Sequence, residues 1–559
     1  MKIPTIMRIS SAILCLLGLW ATPQPTLFAQ GLATAPAFSA DRLLAHIRTL
    51  SSNEFQGRGP GTKGEEVTLA YVQKQFRDAG LAPGNPDGTY LQAVPLVGIR
   101  PDSKMTLTFT GHGKTMQLAF EKDFVAQTRR MVDSVRLDAD MIFAGYGVQA
   151  PEYKWDDFKG VDVKGKVIVV LINDPPVPDP KMFGGKAMTY YGRWTYKFEK
   201  AAELGAAGCL IVHETGPAGY PWEVVRDSWS GDSFNLVAAD KNMHRAAVEG
   251  WITHEQAQAL FRAAGLDFEA ERKKAVSSNF HPVALGMKAQ LEMHNTLRTI
   301  ESHNVIAKRT GSDPKLKNEY VIYSAHWDHF GIGPEVNGDK IYHGALDNAS
   351  GSAALLEIAR AYAQLKPQDA PKRTILFLSV TAEEQGLLGS EYYAEHPLYP
   401  VSHTAAAINM DGMNVWGKTR DITEIGKGKS TLDEVVADVA EQQGRTVRPD
   451  PEPEKGYYYR SDHFSFAKVG IPAFDPDSGI EYVGKPADWG LKKRDEYTQN
   501  DYHKPSDVIK LDWDLSGAVQ DSQLYFLVGY RVANAVKMPE WKADAEFKAI
   551  REASLKSGN

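Results

Sequence analysis

The sequence has very little cysteine, with only Cys15 and Cys209 among its 559 residues. Cys15 lies in an N-terminal segment that we expect to be removed, so the processed chain would have no pair of thiols for an intramolecular disulfide. Cys209 lies in an uninterrupted apolar run, which predicts a buried and inert thiol rather than a nucleophile. We therefore expect packing, together with any bound metal, to stabilise the fold.

Runs of basic residues and long apolar segments are also missing. The formal net charge is -7 and no cluster of lysine and arginine stands out, so we expect no nucleic-acid partner. Beyond the N-terminus no stretch is long enough to cross a bilayer, and we expect no stable membrane insertion of the mature chain. The hydrophobic content of 43% and charged content of 24% are those of a globular protein, and the length predicts two folded units.

The first 30 residues are typical of an export signal. Lys2 and Arg8 precede an apolar run over residues 9–20, and a polar, proline-containing stretch follows. The run is too short to span a membrane. We therefore predict a signal peptide over residues 1–30 and an exported protein, periplasmic or secreted.

The remaining pattern predicts an α/β fold with a central mixed, largely parallel sheet flanked by helices. Apolar strands over residues 320–325, 373–380 and 404–410 alternate with a helix over residues 352–365, the order that βαβ units require. Their nearly continuous apolar character indicates strands buried on both faces. A discontinuous catalytic domain is predicted over residues 31–135 plus 296–540, followed by a charged tail or peripheral helix over residues 541–559.

The sequence pattern changes between residues 136 and 295, and we interpret this segment as an inserted β-rich domain. Short apolar runs at residues 141–144 and 166–172 are separated by proline-rich sequence, and a helix over residues 198–204 leads through Gly205 into a strand that ends at His213. This helix–glycine–strand segment resembles the protease-associated domain.

Histidines and carboxylates recur at the ends of the predicted strands. Strands end at His326, at the pair Glu383 and Glu384, and at Asp411, and the carboxyl ends of parallel strands meet at one edge of a sheet. Asp347 precedes the helix that starts near residue 352, and His503 lies in a later loop. Mixed imidazole and carboxylate ligands suit zinc. Three carboxylates, two Zn²⁺ and a bridging hydroxide form a neutral cluster, which predicts two Zn²⁺ per chain.

The motifs at residues 325–328, 346–351, 382–390, 409–412 and 502–503 resemble the co-catalytic dizinc aminopeptidase family, whose relatives include glutamate carboxypeptidases and glutaminyl cyclases. The resemblance implies a zinc-exopeptidase fold and a peptide substrate attacked by metal-activated hydroxide. The ligands that it implies are His326 and Asp411 for one zinc, Glu384 and His503 for the other, and Asp347 between them. It further implies that Glu383 is the general base, that Asp328 orients His326, and that Tyr502 binds the oxyanion.

Several alternatives remain open from the sequence. An aminopeptidase is favoured, but a carboxypeptidase or dipeptidase of the same family retains the same ligands, and some relatives of this architecture only bind partners. His329 is interpreted as a capping residue rather than a ligand. His463 is either a substrate contact or the neighbour of an N-cap at Asp462, with the N-cap favoured. The oligomeric state and side-chain preference are not predicted.

Overall fold

A computed structural model describes residues 34–179 and 181–558 of the chain. The predicted signal peptide therefore lies outside the described residues. Within the described part, no helix combines the length and apolar character needed to cross a membrane.

The larger unit is built on a mixed sheet whose four central strands are parallel, as predicted. Tyr320–His326 lies between Thr374–Val380 and Thr404–Asn409, and Ala473–Asp477 pairs with the latter. Antiparallel strands extend the sheet on both sides. Across the sheet the order is Ser233–Leu236, Leu91–Pro101, Val283–Arg309, Thr374–Val380, Tyr320–His326, Thr404–Asn409, Ala473–Asp477, Asp421–Ile425 and Thr446–Pro449.

Both faces of the central strands are buried, which explains their continuous apolar sequence. Val321 and Tyr323 belong to the core beneath one layer of helices, whereas Ile322 belongs to the core on the opposite face. Side chains alternate between the faces of a strand, so each face must be apolar. The helices of this unit are Ala40–Leu50, Lys63–Asp78, Gly351–Ala363, Leu388–Glu395, Leu432–Gln442, His463–Lys468, Trp489–Asn500, Ser516–Asn534 and Lys548–Ser557.

The second unit has its own sheet and core. The 27-residue strand Val283–Arg309 contributes its first half to this sheet and its second half to the larger one. The other strands of the second unit are Thr106–Gly111, Lys114–Ala119, Phe124–Gln127, Ser134–Phe143, Val167–Leu171, Gly208–His213 and Val248–Thr253. Its helices are Trp194–Glu203, Thr215–Ala218, Trp222–Trp229, His254–Ala263 and Phe268–Lys274.

The packing places the start of the second unit earlier than the predicted residue 136. Met105, Leu107, Phe109 and Leu118 contribute to the second core, because their strands pair with the first half of Val283–Arg309. We therefore propose that the inserted unit begins near residue 105. Cys209 is fully buried in this unit and has a free thiol.

Two surface segments complete the larger unit. The segment after residue 540 is not a detached tail, because Trp541 and Phe547 are buried and the Trp541 indole donates to the carbonyl of Gly470 at 2.8 Å. After His326, the strands Ile332–Val336 and Asp339–Ile341 form a surface hairpin.

Candidate metal centre

The predicted ligands converge because three neighbouring parallel strands end at the same edge of the sheet. His326 is the last residue of its strand, the strand Thr374–Val380 ends three residues before Glu383, and Thr404–Asn409 ends two residues before Asp411. The remaining two predicted ligands come from outside these strands. Asp347 lies just before the helix Gly351–Ala363, and His503 follows the helix Trp489–Asn500.

Asp347 lies between the two histidines. Its Oδ1 is 3.4 Å from His326 Nε2, and its Oδ2 is 3.2 Å from His503 Nε2. Each histidine also faces one further carboxylate: His326 Nε2 is 3.0 Å from Asp411 Oδ1, and His503 Nε2 is 3.2 Å from Glu384 Oε2. The five side chains thus form two groups of donor atoms that share one carboxylate.

The electrostatics of this cluster favour bound cations. Burial and neighbouring carboxylates raise the pKa of Glu383 and of Glu384 well above the ordinary value. Burial lowers the pKa of His326, but Asp411 and Glu383 raise it so strongly that the net pKa lies well above that of free histidine. Ionised carboxylates in a buried site are unfavourable without positive partners. Donor atoms lie within 4.8 Å of one another in the group His326, Asp347 and Asp411 and in the group His329, Asp347 and Glu384. Imidazole and carboxylate donors of this kind fit zinc.

Glu383 lies at the edge of the cluster rather than inside it. Its Oε2 is 3.9 Å from His326 Nε2, farther than either Asp411 or Asp347. Its backbone N–H donates to Asp328 Oδ1 at 3.1 Å, which fixes the loop that carries it. Glu383 is therefore close to both groups of donors without being the nearest carboxylate to either histidine.

The Asp328 carboxylate contacts that loop more closely than it contacts His326. Asp328 Oδ1 is 3.8 Å from His326 Nδ1, whereas the backbone oxygen of Asp328 is 3.3 Å from the same nitrogen. The orientation of the imidazole thus comes from the main chain of residue 328 as much as from its side chain. The other carboxylate oxygen of Asp328 is buried and has no hydrogen-bond partner among the described residues.

His329 contacts the cluster, which the sequence reasoning did not predict. Burial lowers its pKa to about 4, so the ring is neutral at physiological pH, and its Nδ1 lies 2.5 Å from Glu384 Oε1. The neutral tautomer protonated at Nδ1 donates to that carboxylate. This hydrogen bond orients Glu384 towards His503.

Two further predicted residues have different surroundings. His463 is fully buried, 3.2 Å from Asp475, and is absent from the described residues that line the cavities around the cluster. The Asp462 side chain makes no capping hydrogen bond and accepts from Ser390 Oγ instead. Tyr502 is 43% exposed and stacks on His503 with ring centroids 3.6 Å apart, so its hydroxyl is available to a ligand.

Asp507 holds the loop that carries Asp347. Its carboxylate accepts from the backbone N–H groups of Leu346 and Asp347, both at 3.0 Å, and from the Tyr497 hydroxyl at 3.1 Å. A buried carboxylate that accepts several hydrogen bonds fixes the backbone around it. In the sequence, the only indication of this role was that Asp507 lies four residues after the predicted ligand His503.

Arg58 connects the loops after His326 and before Asp347. Its buried guanidinium donates to the backbone oxygens of Trp327 at 2.8 Å, His343 at 2.8 Å and Gly344 at 2.9 Å. Gly57 has a φ of +65°, and a Cβ there would be 2.4 Å from the carbonyl oxygen of Gly331. The glycine-rich stretch around Arg58 is thus explained by close contact with the loop after His326.

Ser461 and Asn409 fix Asp411 from the opposite side. Ser461 Oγ donates to Asp411 Oδ2 at 2.6 Å, and Asn409 Nδ2 donates to Ser461 Oγ at 2.7 Å. Ser324 Oγ donates to the side-chain oxygen of Asn409 at 2.8 Å. The chain of hydrogen bonds leads from the buried sheet to the carboxylate, whose Oδ1 remains directed at His326.

Two cavities meet at the cluster. The larger, of about 470 Å³, lies between the two units, with Arg193 and Tyr220 on one side and Glu384 and Arg460 on the other. The smaller, of about 260 Å³, extends from the cluster into the larger unit. Apolar side chains such as Met413 and Trp416 line it together with charged ones such as Asp475, Asp477 and Arg494. The cluster therefore opens into a space on either side, as a site that cleaves a chain requires.

Comparisons with known proteins relate this part of the chain to peptidases. Residues 304–527, which include all five predicted ligands, match the sequence profile of Peptidase family M28. Aminopeptidase NAALADL1 of Mus musculus is 36% identical over 130 residues, which are 22% of this chain and 16% of that protein. A probable leucine aminopeptidase 2 of Aspergillus oryzae is 25% identical over 401 residues, 69% of this chain and 66% of that protein.

Among solved structures, an aminopeptidase from Aneurinibacillus sp. strain AM-1 is similar to this chain, with a TM-score of 0.49 and 21% sequence identity. The alignment covers 89% of this chain and 94% of that chain. The matched segment spans only about a sixth of the length of the mouse relative. The profile match confirms the predicted resemblance over residues 304–527, the segment that matches Peptidase family M28.

Proposed function

We propose that the protein is an exported dizinc aminopeptidase that removes N-terminal residues from peptides. One observation carries the proposal: the two carboxylate oxygens of Asp347 face different histidines, at 3.4 Å and 3.2 Å. A carboxylate in this position would be shared between two metal ions, and paired metals are an established arrangement for the hydrolysis of amides.

The proposed ligands divide into two sets. His326 and Asp411 would hold one zinc, Glu384 and His503 would hold the other, and Asp347 would be shared. When bound, the two ions supply Lewis acidity that polarises the substrate carbonyl and lowers the pKa of water.

Glu383 is proposed as the general base. Its carboxylate is adjacent to the proposed ligands but 3.9 Å from the nearest histidine nitrogen, so it has room to accept a proton from the attacking water and deliver it to the amide nitrogen of the leaving peptide. The exposed hydroxyl of Tyr502 is positioned to donate to the substrate carbonyl oxygen as negative charge develops there.

The smaller cavity is proposed to hold the side chain of the N-terminal residue. Its volume of about 260 Å³ suits a single side chain rather than a continuing chain. The scissile carbonyl would then lie against the metal centre, with the rest of the peptide in the larger cavity. This direction of binding is the one that an aminopeptidase requires.

The second unit is proposed to be a protease-associated domain and residues 1–30 a signal peptide that directs export. Support for the domain comes from the helix Trp194–Glu203, which leads through Gly205 into the buried strand Gly208–His213. Support for export comes from the composition of the N-terminal segment alone.

A test uses leucyl-4-nitroanilide and an N-acetylated dipeptide as paired substrates. The proposal predicts hydrolysis of the anilide, loss of activity with a chelator and recovery with Zn²⁺, and no cleavage of the blocked peptide. Cleavage of the blocked peptide alone would indicate a carboxypeptidase. A purified, zinc-supplemented protein that cleaves neither substrate and binds no zinc would contradict the assignment as an enzyme.

A further inference from the structure

Two arginines on the walls of the larger cavity have no acidic partner. Arg193 lies just before the helix Trp194–Glu203 of the second unit, and Arg460 belongs to the larger unit. Neither side chain makes an ion pair or a hydrogen bond with any described residue. The Nε atom of each is buried without a partner. Arg460 instead lies over the ring of Tyr457, 5.4 Å from its centroid. Buried arginines in proteins are otherwise paired.

The two guanidinium groups are close enough to repel each other. Burial, followed by the positive charge of Arg460, lowers the pKa of Arg193 to about 10. Both arginines also interact with Tyr220 in the same wall, and the groups that most raise the pKa of Arg193 are tyrosines. An anion bound between these two positive charges would relieve their repulsion.

Some other charges on this cavity are paired, whereas Arg245, Glu391 and Glu395 make no ion pair with a described residue. Arg129 Nε is 2.9 Å from Glu249, Lys468 Nζ is 3.0 Å from Glu199, and Asp232 pairs with Arg298 at 3.2 Å. Arg193 and Arg460 differ from Arg245 because the Nε atom of each is buried without a hydrogen-bond partner. Their ligand has to be an anion that enters from the cavity.

The position of Arg460 relates this anion site to the metal centre. Arg460 precedes Ser461, which binds Asp411, and it lines both cavities. A peptide whose N-terminal side chain occupies the smaller cavity and whose scissile bond lies at the metal centre would extend its next residue towards Arg460 and Arg193. The volume of about 470 Å³ is within the range of small-ligand pockets, about 300–1,000 Å³, and suits a short segment.

We propose that Arg193 and Arg460 together bind a carboxylate of the residue that follows the scissile bond, and that its source is the C-terminal carboxylate of a dipeptide. Guanidinium groups match carboxylates by paired N–H···O hydrogen bonds. The inference rests on the proposed aminopeptidase function and narrows its substrates to short peptides with a free C-terminus. It also gives the second unit a role in substrate binding, because Arg193 comes from that unit and Arg460 from the larger one.

The experiment compares kcat/KM for leucyl-alanine, leucyl-alaninamide, leucyl-glutamic acid amide and leucyl-4-nitroanilide. We expect the dipeptide to exceed its amide by about ten- to a hundredfold, the range for hydrogen bonds to charged groups. Arg193→Gln and Arg460→Gln should each reduce this ratio towards one while the anilide rate changes less than about threefold. The matched control Arg245→Gln removes a cation from the same cavity wall and should keep the ratio.

A binding measurement separates this site from the catalytic proposal. Calorimetric titration of metal-free protein with leucyl-alanine and its amide should show the same preference for the acid, lost in Arg193→Gln but kept in Arg245→Gln. If this preference is present and the zinc-loaded enzyme does not cleave the anilide, the aminopeptidase proposal fails and the carboxylate site stands.

Equal binding and turnover of acid and amide by the wild type, or an unchanged ratio in both arginine variants, would overturn the carboxylate site. A preference for leucyl-glutamic acid amide over leucyl-alanine would overturn the C-terminal assignment and identify an acidic side chain as the source. Thermal unfolding of each variant checks the fold, and the anilide rate provides the same check in solution.

Discussion

Replacement of Glu383 by glutamine separates the role of a base from that of a ligand. The side chain is 10% exposed, and its nearest oxygen is 3.9 Å from His326 Nε2. Glutamine has nearly the same shape but cannot accept a proton at neutral pH. Because the proposed ligands are unchanged, Glu383→Gln should retain the zinc content of the wild type.

The expected loss of activity follows from the contribution of general base catalysis, about 100- to 10,000-fold in rate. We expect kcat/KM for leucyl-4-nitroanilide to fall by at least about a hundredfold, mainly through kcat. The measurement combines steady-state kinetics with metal analysis by mass spectrometry on the same preparation. Glu391→Gln, which changes another carboxylate on the larger cavity, is the matched control and should remain active.

Two outcomes would refute the reasoning about Glu383. Retention of more than about a tenth of wild-type kcat/KM would show that the carboxylate does not transfer the proton. A fall in zinc content together with activity would make Glu383 a ligand, an arrangement compatible with its position within 4.8 Å of His326 and Glu384.

Two further predictions concern the support of the site. Asp507→Asn should lower the free energy of unfolding by about 1.5–3 kcal/mol, because one carboxamide oxygen replaces a charged acceptor of three hydrogen bonds; urea unfolding that matches the wild type would contradict this. The Glu357 side chain is 1% exposed. Burial raises its pKa, but hydrogen bonds from His46, Arg360 and Arg42 lower the pKa to about 2 overall, compared with 4.5 for an unperturbed glutamate. Glu357→Gln should therefore lower the free energy of unfolding by about 3 kcal/mol above pH 4.5, and this difference from the wild type should disappear as the pH falls towards 2. A difference in unfolding free energy that does not change with pH would argue against ion pairing.

The central sheet and the predicted ligand cluster could be anticipated because their signals are local. The strand Tyr320–His326 reads as apolar in sequence since both of its faces are covered. The polar residues at its end and at the ends of its neighbours then share one edge of the sheet. Order along the chain was enough to bring His326, Glu384 and Asp411 together.

The boundary of the second unit could not be anticipated, because it depends on pairing between distant segments. The strand Thr106–Gly111 has an ordinary alternating pattern, and only its pairing with residues 287–291 assigns it to the second sheet. The length of Val283–Arg309 has the same cause, since its two halves have different partners.

The supporting residues were missed for a related reason. Arg58 acts on backbone oxygens about 270 residues away along the chain, and Asp507 acts on backbone N–H groups about 160 residues away, so neither leaves a local pattern. Neither alternative for His463 describes its surroundings, because Asp462 makes no capping hydrogen bond and the ring of Tyr458 packs 5.0 Å from that of His463 inside the core.

The zinc content of the purified protein tests the central claim most directly. After dialysis against Zn²⁺ and removal of excess metal, the account predicts two zinc ions per wild-type chain. The variant Asp347→Ala, which lacks the shared carboxylate, should hold fewer than two and lose activity. A wild-type protein that saturates at one zinc per chain, or an Asp347→Ala variant that keeps two, would contradict a dizinc centre bridged by Asp347.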